Sequence, residues 1–151
     1  MKNEEIKIVL YKDDYRREII DFVEKVAIEE YGFVEWKDDL ENMDFEPYKQ
    51  DDSRFWIALD QNNKIIGTCA ALKKTEELIK LNTFYVDKNY RSTGMGSKLY
   101  DLLIKYAKAK NYKTIMLGTC ERLNLAIRFY EKRGFKLYKI DGQDRYYKKD
   151  I

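Results

Sequence analysis

The chain has 151 residues, 44% of them apolar and 15% aromatic, with 37% charged and a net charge of +2. This length suits one domain with a sizeable core, and the aromatic content argues against disorder. Charges of both signs are interspersed, which speaks against a nucleic-acid footprint, no apolar run reaches the ~18 residues of a membrane span, and the absence of histidine excludes Ser-His and Cys-His nucleophile pairs and HExxH zinc sites.

The N-terminal stretch MKNEEIKIVLYKDD has no apolar leader core, and IKIVLY (6–11) predicts a first strand. Asp13-Asp14 then offers an N-cap for a helix over YRREIIDFVEKVAIEEYG, in which Ile19, Ile20, Phe22, Val23, Val26 and Ala27 share one face and Gly32 ends the run. An acidic second helix is predicted over 34–43, followed by the loop FEPYKQDDS. RFWIALD (54–60), KIIGTCAALKK (64–74) and LIKLNTFYV (78–86) are joined by short turns and read as an antiparallel meander. A helix over about 95–110 buries Leu99, Leu102, Leu103, Tyr106 and Ala107. YKTIMLGTC (112–120) is a buried strand, LNLAIRFYEKRG (123–134) a helix, and 135–140 with 145–149 a closing hairpin. The order is β-α-α-β-β-β-α-β-α-β-β, an α+β fold of about seven strands and about four helices in a single domain over 1–151. Cys69 and Cys120 fall in strand-like segments and read as reduced thiols of a cytoplasmic protein.

The stretch NYRSTGMG (89–96) places two glycines and an arginine between a strand and a helix. A helix N-terminus exposes unpaired N–H groups and partial positive charge, so it receives anions. Glycine lets an anion approach the backbone and permits positive φ. The spacing is neither that of a triphosphate P-loop nor that of a dinucleotide fingerprint.

The run from Val86 to Gly96 resembles the acetyl-CoA motif of the GNAT superfamily of N-acetyltransferases, [RQ]-x-x-G-x-[GA] between the fourth strand and the third helix. LAIRFYEKRGFKLY (125–138) resembles the family's second signature, A-x-x-[LF]-Y-x-x-x-G-F, and the element order agrees from end to end. The resemblance implies a mixed central sheet whose fourth and fifth strands splay to admit the pantetheine arm of acetyl-CoA. It implies that the backbone of Phe84, Tyr85 and Val86 pairs with that arm. The amides of Ser92, Thr93, Gly94, Met95, Gly96 and Ser97, with Arg91 nearby, would hold the pyrophosphate, and no metal would be needed.

The activity implied is acetyl transfer to a primary amine of a small molecule or peptide, by direct attack. Tyr130 stands at the family tyrosine that protonates the departing thiolate, and a backbone N–H at or beside Val86 would stabilise the oxyanion. No nucleic acid or membrane partner is implied; a homodimer is compatible with the resemblance. Two positions depart from the pattern. Lys80 stands where some members carry a glutamate base, and Leu123 where the family often has a cofactor-binding asparagine, with Asn124 next to it. Strand alternation puts Lys80, Asn82 and Phe84 on one face and Leu81, Thr83 and Tyr85 on the other. Asn82, Tyr85, Glu30 and Glu35 are candidates for a water relay. Glu30, Tyr31, Asn82 and Cys120 are candidates for the acceptor site, and the acidic 29–44 segment suggests a cationic acceptor. Lys132 is a candidate to reach the cofactor, or is simply solvated. The alternative to an enzyme is a sensor that holds acyl-CoA without turnover, which the missing carboxylate on the fourth strand would favour.

Overall fold

The computed structural model describes residues 5–151; the first four residues of the segment read for a leader lie outside it. Seven strands form one sheet: β1 (Lys7–Leu10), β2 (Arg54–Leu59), β3 (Ile65–Lys73), β4 (Leu78–Val86), β5 (Thr114–Cys120), β6 (Lys136–Asp141) and β7 (Asp144–Asp150). Their spatial order is β1-β2-β3-β4-β5-β7-β6. Every pairing is antiparallel except that of β4 with β5. The sheet is therefore mixed, as expected, and the final hairpin enters with β7 against β5, leaving β6 at the edge.

Four helices cover the two faces: α1 (Arg16–Glu24), α2 (Lys37–Glu41), α3 (Met95–Ala109) and α4 (Asn124–Lys132). β2 shows why both faces must be covered. Phe55, Ile57 and Leu59 enter a core with Ile19, Ile20 and Val23 of α1, whereas Trp56 and Ala58 enter one with Leu99, Leu103 and Tyr106 of α3. Successive residues of a strand point to opposite faces, so a strand this apolar needs a helix layer on each side. On α3 the buried side chains are Met95, Leu99, Tyr100, Leu103, Tyr106 and Ala107, while Leu102 is only partly covered.

The first helix departs from the expectation in two ways. Asp13 and Asp14 do not cap it; they open a 3₁₀ turn (Asp13–Tyr15), and the Asp13 carboxylate accepts from the Tyr11 hydroxyl and Lys49 instead. The helix then widens to π geometry over Lys25–Glu30 and ends at Gly32, with φ of 77°. The second helix is shorter than predicted, a 3₁₀ turn (Val34–Trp36) leading into α2.

The alternation expected along β4 also fails at one point. Its pairing with β3 slips between Asn82 and Tyr85, so β4 carries an extra residue there, and Thr83 has φ of 45°. This is a β-bulge, and it turns the following side chains over. Ile79, Leu81, Phe84 and Val86 accordingly face α3, while Tyr85 joins the α1 side. Phe84 thus lies opposite to the face expected for it. The bulge is pinned by Thr68, wholly buried, whose hydroxyl donates to the Thr83 carbonyl at 2.8 Å.

Candidate active site

β4 and β5 pair only from Leu78–Lys80 with Thr114–Met116. Beyond that point they diverge, and two cavities open along the fork. The first, about 610 Å³, lies between β4, the start of α3 and α4. The second, about 350 Å³, lies between β4, β5 and α2. Phe84, Tyr85, Leu123, Ala126 and Tyr130 line both, so the cavities meet at Tyr130.

The first cavity gathers free helix amides and cationic side chains. Gly94 precedes α3 with φ of 88°, and a Cβ there would meet nothing within 4 Å. The first backbone bond of the helix runs from Lys98 N–H to the Gly94 carbonyl, so the amides of Met95, Gly96 and Ser97 have no intrahelical acceptor. Gly96 sits 3.6 Å from the Phe129 ring and 3.8 Å from that of Phe84, measured from where its Cβ would be, so the helix starts directly beside the cavity's aromatic wall. Arg91, Arg128, Lys132 and Arg133 line this cavity with no carboxylate among them. Among the described residues, Arg128, Lys132 and Arg133 make no ion pair.

Arg91 is different. Its guanidinium grips Glu30 with both nitrogens, Nη2 to Oε2 at 2.9 Å, and it donates to the Val86 carbonyl at 3.0 and 3.1 Å. The Glu30 carboxylate raises the Arg91 pKa further, so its charge is permanent. Asp87 N–H bonds to Ile66 of β3, and strand alternation therefore turns the Val86 N–H away from β3 into the fork.

Tyr130 is buried, and its hydroxyl makes no hydrogen bond within the described residues. No buried side-chain oxygen or nitrogen lacks a partner among them, so the phenol oxygen keeps contact with the cavities it lines. Burial raises its pKa strongly, with smaller contributions from Cys69 and Tyr85. The group stays a neutral phenol throughout the physiological range.

Most of the predicted cofactor residues converge here: Phe84, Tyr85, Val86, Arg91, Ser92, Gly94, Gly96, Ser97 and Tyr130 all line the first cavity, and Tyr31 joins them rather than the acceptor side. Thr93 turns its hydroxyl to the Tyr90 carbonyl, and the Met95 side chain is packed in the core, so only their backbones are near the helix start. Asn124 is exposed, lines neither cavity and is not the cap; Leu123 holds that position. Glu30 lines neither cavity because it is held by Arg91. Asn82 and Cys120 line the second cavity.

The acidic 29–44 segment does not present its carboxylates to the second cavity. Glu41 is bound by Arg17 and Glu35 lies 3.6 Å from Arg122, while the cavity wall receives Trp36, Leu40 and Met43. The suggestion of a cationic acceptor loses its basis, since a helix with an apolar stripe buries that stripe and leaves its charges outside. The second cavity is instead lined by Lys80, Asn82, Thr119, Asp144 and Tyr146. Gly118 makes room for Tyr146: a Cβ there would stand 3.0 Å from the ring.

Arg128, Arg133 and Asp144 were not anticipated. The first two had a signal, because Leu125, Arg128, Phe129, Lys132 and Arg133 follow i, i+3, i+4, i+7, i+8 and form one face of α4. Asp144 had none, since its place depends on how β7 pairs with β5.

The sequence profile described as the acetyltransferase (GNAT) family matches residues 16–135. N-acetylaspartate synthetase of Xenopus tropicalis is 35% identical over 96 residues, 62% of this chain and 35% of that protein, so the chain spans about a third of the length of this curated relative. An acetyltransferase of the GNAT family from Staphylococcus aureus Mu50 superposes with a TM-score of 0.85 at 28% identity, covering 97% of this chain and 99% of that one. The PaiA N-acetyltransferase of Thermoplasma acidophilum, solved in complex with coenzyme A, shares the fold with a TM-score of 0.79 at 19% identity, over 97% of this chain and 99% of that one. The chain, with its seven-stranded mixed sheet and its forked β4 and β5, belongs to the GNAT family of acetyltransferases.

Proposed function

We propose that the protein transfers an acetyl group from acetyl-CoA to a primary amine of a small molecule or peptide. The observation that carries this reading is the cation-lined first cavity, which runs from the start of α3 to an unpaired phenol shared with a second cavity. The residues present fit coenzyme A. The amides of the first turn of α3, with Arg128, Lys132 and Arg133, would hold its phosphates, and the open edge of β4 at Phe84 to Val86 would hold its arm. When bound, it supplies an acetyl thioester open to attack by a neutral amine.

The residues then have separate tasks. The Val86 N–H, turned into the fork, faces the oxyanion that develops as the amine attacks. Tyr130 gives its proton to the departing sulfur as the carbon–sulfur bond breaks and recovers one from solvent. A phenol with a raised pKa is fully protonated but a weak acid, so proton transfer accompanies sulfur departure rather than preceding it. The attacking amine loses its proton to water in the second cavity, where Asn82 and Tyr85 can hold a chain of waters. Glu30 has no part in this, being committed to Arg91.

The test is amine-dependent release of free thiol from acetyl-CoA, with coenzyme A binding followed by calorimetry. Thiol release on at least one amine supports transfer. Tight binding with no turnover on any amine would identify a sensor instead.

A further inference from the structure

The second cavity contains a cation, Lys80, that no carboxylate among the described residues pairs with. Lys80 is half-buried and is the last β4 residue paired with β5, opposite Met116, so it sits at the closed end of the fork. Among the described residues its ammonium makes no ion pair and no hydrogen bond. Its pKa is lowered by loss of water and then by Lys74, with no carboxylate opposing either effect. Among the described residues, the only carboxylate on the cavity wall is that of Asp144, which pairs with Cys120. Cys120 lies four residues along β5 from Met116, about 13 Å at the usual strand rise. None of the acids of the helical segment above lines this cavity: Glu41 pairs with Arg17 and Glu35 lies 3.6 Å from Arg122.

A charge held away from water without a partner is costly. A ligand that brings an anion to the closed end would relieve that cost and would be oriented by it. Its amine would then point along the cavity to Phe84 and Tyr130, where the two cavities meet. Apolar side chains of Trp36, Leu40 and Met43 cover the path between.

We infer that the acceptor is an amine that also carries a carboxylate, and that Lys80 holds this carboxylate at the closed end of the second cavity. The inference rests on the acetyl-transfer reading above for its amine and on the cavity alone for its acid. It makes Lys80, at a position where some relatives in this family carry a glutamate, a determinant of specificity rather than a base.

The experiment uses the intact protein saturated with coenzyme A, titrated with glutamate and 4-aminobutyrate and with their carboxamide counterparts. Trp36 lines the cavity and reports occupancy by fluorescence. The same four amines are assayed with acetyl-CoA. At least one acid should bind, and be used where turnover occurs, tenfold or more better than its amide. Lys80→Met should abolish that preference and Lys80→Arg should keep it, with circular dichroism and coenzyme A titration checking the fold of each. Acid binding without turnover would leave the carboxylate site at Lys80 standing and count against the acetyl-transfer reading, which alone supplies the amine. Turnover of amides as readily as acids, no response to either acid, or a preference that survives Lys80→Met would each overturn the inference, as would its loss in Lys80→Arg.

Discussion

Arg133, just past the end of α4, donates from Nη2 to the Ser97 hydroxyl in the first turn of α3 at 2.7 Å. The guanidinium also lies over the Phe129 ring, 3.4 Å from its centroid, and bonds the Phe129 carbonyl. The two helices that carry the two sequence signatures are thus joined by a cation at the end of the first cavity where α3 begins. Chain positions 36 apart are held together by one hydrogen bond.

Arg133→Ala should therefore weaken coenzyme A binding by about tenfold, equivalent to about 1.4 kcal/mol. Arg133→Lys should recover only part of the loss, because an ammonium keeps the charge but not the planar fork or the ring stacking. Calorimetric titration of the three proteins checks this; equal affinity in all three would place Arg133 outside the cofactor site.

Tyr130→Phe removes one oxygen from a phenol whose hydroxyl has no hydrogen-bond partner among the described residues. Coenzyme A affinity should change less than twofold. Turnover should fall by about 10²-fold, the lower range for loss of a proton donor. Steady-state kinetics on an amine acceptor read the two effects separately, and an unchanged kcat would end the proton-donor role.

Thr68→Val is nearly isosteric and leaves the Thr83 carbonyl in the β4 bulge without the hydroxyl that binds it. A buried acceptor left unpaired costs about 1–3 kcal/mol. The midpoint of urea unfolding should drop accordingly. The amine KM should rise as well, because the bulge sets which side chains of β4 face each cavity.

Alkaline pH should destabilise the fold well before arginine or the backbone is affected. Burial pushes Tyr85, Tyr100 and Tyr106 each up to about 12 and raises Tyr130 in the same direction. In the unfolded chain these phenols ionise near pH ~10. Between about pH 10 and 12 the unfolded state releases protons that the folded state keeps, so stability must fall as pH rises. Below about pH 10 the contribution is complete. Melting temperatures from pH 8 to 11.5, with phenolate absorbance followed in parallel, check the sign; a constant melting temperature would contradict it.

Element type and order were legible because α1 and α3 carry apolar residues at helical spacing, while β2 and β3 are short, nearly continuous apolar runs bounded by turn residues and buried along almost their whole length. The glycine turn was legible for a related reason: a helix start, a strand before it and residues suited to positive φ are all local. Gly94 takes that conformation, and the amides of Met95, Gly96 and Ser97 behind it have no intrahelical acceptor. The Tyr130 position was legible from its spacing within the second signature.

The misreadings share one physical origin, which is that they depend on residues distant in the chain. Asp13 offers a helix cap locally, but Lys49 and Tyr11 take its carboxylate. Glu30 is an acid near the site by sequence, yet Arg91 binds it. The acidic helical segment looks like a receptor for cations until its stripe of Trp36, Leu40 and Met43 turns inward and takes the wall of the cavity. Phe84 changes face because Thr83 bulges, and that bulge is held by Thr68 from the neighbouring strand.

The sequence alone determined the order of elements, the glycine turn that opens α3 and the family to which the chain belongs, since each is written in local spacing and composition. Tertiary structure decided which charges remain free. Ion pairs, strand register and the fork between β4 and β5 form only when distant segments meet. They leave Arg128, Lys132 and Arg133 facing one cavity and a lone Lys80 at the closed end of the other.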